Sequence, residues 1–160
     1  MSRHRLGLEV RKMAGMESSI EISRPIEAVF GYFLDLETNI VETDPKVHSV
    51  LKTTDGPVGP GTTYVIRQPV LGRVREQRMR VLAVDANRRI DMEARFGPVA
   101  PHISLHFEPT EGGTRVTFRG ESRPIGPFKL VSPLMDRIGE RNWVRRLNLI
   151  KIALESGSLG

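Results

Sequence analysis

The chain has 160 residues, no cysteine and a formal net charge of +5. That length suits one domain able to bury a stable core without covalent staples, and the missing thiols exclude disulfides, thiol nucleophiles and thiolate metal sites and fit a reducing, cytoplasmic location. The charge is uneven: residues 1–15 hold Arg3, Arg5, Arg11 and Lys12 against Glu9, a net of +3, leaving +2 for everything that follows.

Residues 1–15 show no clear periodicity and are expected to be a disordered tail, with a single domain over 16–156. Ile20 and Ile22 alternate with Ser19, Glu21 and Ser23, which predicts a strand over 17–23. A helix follows, with Ser23 as cap, Pro25 in the first turn and Glu27 near the amino end. Its apolar face comprises Ile26, Val29, Phe30, Phe33 and Leu34. Residues 35–44 read as a second short helix that stops before Pro45.

From Val47 the texture changes to strands separated by turn residues. Strands are expected over 47–54, 62–68 (stopped by Pro69), 73–85, 88–96, 102–108 and 114–123. The connections are too short for crossovers, so the sheet is antiparallel. It has one apolar face, which a single layer of helix must cover.

That cover is the last helix. Ser132-Pro133 is a start signal, and Trp143, Leu147, Ile150 and Leu154 recur at helical spacing, with Arg146 and Lys151 expected in water. At about 100° per residue, Val131, Leu134, Met135 and Ile138 lie on a face rotated by roughly a third of a turn from the Trp143 stripe. Gly139 and Asn142 sit at the crossover. Two readings fit: a kink or close approach at the glycine, or a gap in the packing with an amide pointing into it. A helix of about 24 residues is some 36 Å long, more than a small sheet contacts evenly. A cavity is therefore expected at the interruption, bounded by Phe30 or Phe33, by Met92, Phe96, Leu105 and Phe118 from the strands, and by Gly139, Asn142 and Trp143.

No sharper chemistry stands out. His102 and His106 share one strand face but lie about 13 Å apart, too far for one metal ion, and their face opposes Ile103, Leu105 and Phe107. His48 and His4 add no ligand spacing, so neither a metal site nor a cofactor is expected. In 73–85 neither face is clean, so a bulge would decide whether Glu76 or Arg78 faces the core. Arg67 with Tyr64 is a further candidate for a pocket mouth. There is no serine elbow, catalytic carboxylate pair or phosphate loop with lysine. The arginines are scattered without interleaved aromatics, so nucleic acid is not an expected partner. No apolar run is long enough to span a bilayer.

Strand, two helices, six strands and a long final helix, in that order, resemble the START-like (SRPBCC) superfamily, within it the polyketide cyclase/dehydrase and lipid-transport group. Val58-Gly59-Pro60-Gly61-Thr62, Arg88-Arg89-Ile90 and Gly112-Gly113-Thr114-Arg115-Val116 look like that family's turns into its third, fifth and seventh strands. The resemblance covers about residues 16–156. It implies an α+β helix-grip fold, in which a curved seven-stranded antiparallel sheet wraps the C-terminal helix around a cavity for an apolar or amphipathic small molecule. Binding or carriage of a lipid, polyketide, quinone or similar molecule is the expected function. A cyclase or dehydrase acting in the same cavity is the alternative. The sequence sets neither ligand identity nor oligomeric state.

Overall fold

The computed structural model describes residues 16–95, 100–121 and 132–156, with 132–136, 138 and 139 described by their backbone alone. The expected tail, residues 1–15, lies outside them. The elements are β1 (Met16–Ile22), α1 (Ile26–Leu34), α2 (Leu36–Thr43), β2 (Ser49–Lys52), β3 (Thr63–Val70), β4 (Arg73–Asp85), β5 (Arg89–Arg95), β6 (His102–Thr110), β7 (Gly113–Glu121) and α3 (Ser132–Glu155). The strands form one antiparallel seven-stranded sheet in the order β1-β7-β6-β5-β4-β3-β2. Because β1 and β2 are the two edges, α1 and α2 carry the chain from one side of the sheet to the other.

Alternation assigns the faces. On the inner face, Tyr64 and Ile66 of β3 lie beside Met79 and Val81 of β4, and the row continues through Ile90, Met92 and Ala94, Ile103, Leu105 and Phe107, and Val116 and Phe118. All of these are buried, and each of the larger side chains contributes about 1.5–3 kcal/mol. The outer face is held by cross-strand polar pairs: Glu21 to Arg115 at 2.8 Å, Glu17 to Arg119 at 3.5 Å, and Ser19 to Thr117 at 2.9 Å, all directly opposite in register.

The mixed pattern of β4 resolves through a bulge. The register shifts between Val81 and Ala83, which leaves Leu82 as the extra, outward residue and lets Val84 pair with Ile90 on the inner side. Glu76 and Arg78 consequently share the outer face, and both are exposed. β3 runs two residues beyond the expected stop at Pro69. β2 pairs no further than Arg67, so the missing N–H of Pro69 faces an edge with no further strand to serve.

Two contacts lock the helices to the sheet. Gly113 lies against the β1–α1 link so closely that a Cβ there would stand 2.1 Å from the Ile22 carbonyl oxygen, and the neighbouring Thr114 hydroxyl donates to the Arg24 carbonyl at 2.9 Å. At the end of α3, Glu155 accepts from the Ser23 amide at 2.9 Å and from Lys151 at 2.6 Å, while Lys151 also donates to the Glu21 carbonyl. Ser23 thus anchors α3 instead of capping α1, whose N-cap is Pro25 with no side-chain cap. Leu147, Ile150 and Leu154 are buried as expected. Arg146 is a correction: only 16% of its side chain is exposed, because it points from the same stripe toward the buried Asp44.

Candidate functional site

The expected lining residues gather on the inner side of the sheet. Phe30, Phe33, Met92, Leu105 and Phe118 are buried in one apolar cluster. Phe30 and Phe33 meet Phe107 edge-on at 5.1 and 5.5 Å, and Trp143, half-buried, stacks on Phe118 at 4.4 Å. Asn142 is exposed on the flank of α3 and adds no interior surface. Phe96 lies outside the described residues, as do the surroundings of Gly139.

Periodicity did not point to the polar groups that this cluster contains. Asp44, at the C-cap of α2, has a side chain only 3% exposed, and it accepts from the Lys46 amide and from Arg145 Nη2, each at 3.1 Å. Arg146 Nη2 stands 3.7 Å from the same carboxylate, and its guanidinium lies 5.1 Å from the centre of the Trp143 ring. Arg146 Nε is buried without a hydrogen-bond partner. Burial holds the Arg146 guanidinium below its usual pKa, with Arg145 acting in the same direction and Asp44 opposing. The spacing of Trp143 and Arg146, three residues apart, places both on one helix face, and that is the signal that could have revealed this arginine.

Two tyrosine hydroxyls, those of Tyr64 on the inner face of β3 and Tyr32 on α1, are likewise buried without partners. Burial pushes both up to about 12. Glu42 and Asp35 add to the effect at Tyr32, and Glu37 and Asp35 at Tyr64. Both are therefore neutral near pH 7 and act as hydrogen-bond donors, not as bases. Asn39, on the inner side of α2, is satisfied: its amide donates to the Tyr32 and Phe33 carbonyls at 2.7 and 3.2 Å and ties α2 to the end of α1.

The other candidates sit on the outer face. Arg67 pairs with Glu76 at 2.8 Å in water, on the opposite side of β3 from Tyr64. His102 is exposed. His106 is half-buried, and burial pushes it below its ordinary value, with Arg119 and Arg89 adding to the shift. Asp91 beside it accepts from Arg89 Nε at 2.8 Å and from the Ser104 hydroxyl. Burial works to raise this carboxyl, but the two hydrogen bonds together with the charges of Arg89 and His102 outweigh it and hold the group below the usual range. Among the described residues no three His, Asp or Glu side chains are grouped to hold a metal ion. A cavity of about 720 Å³ opens along α3 between Arg137 and Leu149. The described part of its lining comes from one helix and carries Arg137, Arg141 and Arg145 beside Val144 and Leu149.

Residues 13–155 match the family described as polyketide cyclase / dehydrase and lipid transport, and the chain belongs to that family. No curated protein matches it. Solved structures similar to it include Ara h 8.0201, at 16% identity over 88% of this chain and 97% of that one, with a TM-score of 0.74. TTHA0849 from Thermus thermophilus shares 18% identity over 89% and 98% of the two chains, with a TM-score of 0.73. The di-domain ARO/CYC StfQ from the steffimycin biosynthetic pathway shares 16% identity, with a TM-score of 0.74. The match covers 98% of this chain and 54% of StfQ, so this chain spans about half of that protein. At such identities the likeness is one of fold: a curved sheet gripping a C-terminal helix. No described helix is long and apolar enough to cross a membrane.

Proposed function

We propose that this domain binds or carries an apolar or amphipathic small molecule, of the lipid, polyketide or quinone kind, between the inner sheet face and α3. The observation that carries the reading is that three of the four buried donors without partners among the described residues, Tyr32 Oη, Tyr64 Oη and Arg146 Nε, belong to side chains in or against the apolar core, the fourth being Arg24 Nε at the β1–α1 link. Folded proteins rarely leave such atoms unpaired, and a ligand bearing an oxygen is one way to satisfy them. Phe30, Phe33, Met92, Leu105, Phe118 and Trp143 would line this site, with Phe96 and Gly139 at its border. The cytoplasmic location expected from the cysteine-free sequence belongs to this proposal.

A cyclase or dehydrase is the second reading, and one observation favours it: two neutral tyrosine hydroxyls can polarise a ligand carbonyl. Binding stands ahead because Glu76, Arg78 and His102 all lie on the outer face, so none of them is placed as an interior acid or base. Native mass spectrometry of the purified protein tests the proposal. A co-purified small molecule, or saturable uptake of an apolar probe, is the expected result. A bare chain that takes up no probe removes it.

A further inference from the structure

The turn between β3 and β4 breaks a local rule. Val70 pairs with Arg73, so Leu71 and Gly72 form a two-residue loop, and both have positive φ, 52° and 79°. That conformation suits Asn-Gly or Asp-Gly, whereas a leucine is strained in it. Leu71 is also 94% exposed, and Val74, beside Pro69 on the outer face, is 55% exposed. Pro69, Val70, Leu71 and Val74 thus make an apolar tip that nothing in the described chain covers.

Arg73 flanks the turn opposite Val70, and Arg75 and Arg67 follow further along the two strands. Arg67 is matched by Glu76, but Arg73 and Arg75 have no ion-pair partner among the described residues. Arg73 is level with Val70 and Arg75 with Gln68, so at about 3.3 Å per residue these arginines stand roughly 3–13 Å behind Leu71. That is comparable with the depth from headgroups to the acyl boundary of a bilayer. The free edge of β3 carries Pro69, which lacks the N–H that an added strand would need, so pairing with a second copy is disfavoured there. A protruding tip also needs no preformed pocket in a fluid surface. From these observations we propose that the β3–β4 hairpin docks the protein on anionic lipid bilayers, with Leu71 inserted at the acyl boundary and Arg73 and Arg75 among the headgroups.

Vesicle pelleting tests this with the full chain. Wild type is expected to sediment with phosphatidylcholine vesicles that contain phosphatidylserine, less with phosphatidylcholine alone, and less as salt rises. Leu71→Asn relieves the turn, so its Tm should hold or rise while vesicle affinity falls about tenfold. Arg73→Gln combined with Arg75→Gln should abolish the preference for phosphatidylserine and the salt dependence. Wild type remaining in the supernatant, or folded Leu71→Asn pelleting like wild type, overturns the proposal. So does binding to an anionic polymer such as heparin without binding to vesicles.

Discussion

Two nearly sealed carboxylates in this molecule, each beside an arginine, reach different ends. Asp91 on the outer face, with 12% of its side chain exposed, receives Arg89 and Ser104, while the arginine keeps its other side in water and no donor is stranded. Asp44, under α3, receives Arg145 and approaches Arg146, yet Arg146 Nε is left over in the interior beside Trp143. The outer cluster closes on itself and needs nothing further. The inner one has more donor than acceptor, and the two tyrosine hydroxyls share that imbalance. A buried polar group left unpaired costs stability, so a further acceptor beside Arg146 would be stabilising where none is needed at Asp91.

Removing each carboxylate breaks the comparison most sharply. Asp44→Ala leaves Arg146 buried without its counter-charge and should destabilise the protein by about 4 kcal/mol. Asp91→Ala, whose arginine can turn to solvent, should cost only about 1 kcal/mol. Urea denaturation of both variants checks the ordering, and equal losses would mean that the inner cluster is as well solvated as the outer one. Next in size, Leu147→Ala should cost about 3 kcal/mol if the lower half of α3 is core as its burial implies. A loss near zero would mean a loosely docked helix.

The smallest expected effect is one of pH. Folding lowers the pKa of His106 below its ordinary 6.5, so the unfolded chain takes up this proton first as pH falls. Above about pH 6.5 the group contributes nothing. Below it stability declines until the folded value is passed, after which the loss is complete. His106→Gln should flatten the slope of stability between pH 7 and pH 5, as read by denaturation at both values. An unchanged slope would assign it to other groups.

The order of elements was legible because each carries its own period: alternation placed Ile90, Met92, Leu105 and Phe118 on one face, and helical spacing placed Leu147, Ile150 and Leu154 on another. The course of β4 was not, since a bulge at Leu82 changes which face a residue takes without leaving a mark in composition. The burial of Arg146 was not legible for a related reason. Charge type suggests water, but its partner Asp44 lies far away in the chain, and only the fold brings them together. The burial of these apolar side chains could thus be read from pattern, whereas the buried polar groups on α1, α2, β3 and α3 come together only in the fold.

Titration of a fluorescent apolar probe into wild type and Gly139→Leu, with circular dichroism confirming the fold, tests the claim that an apolar ligand binds between the sheet and the middle of α3. Saturable binding to wild type and an affinity lower by about tenfold in the folded variant are the predicted results. Equal affinity in the two folded proteins, or no saturable binding to either, would contradict the claim.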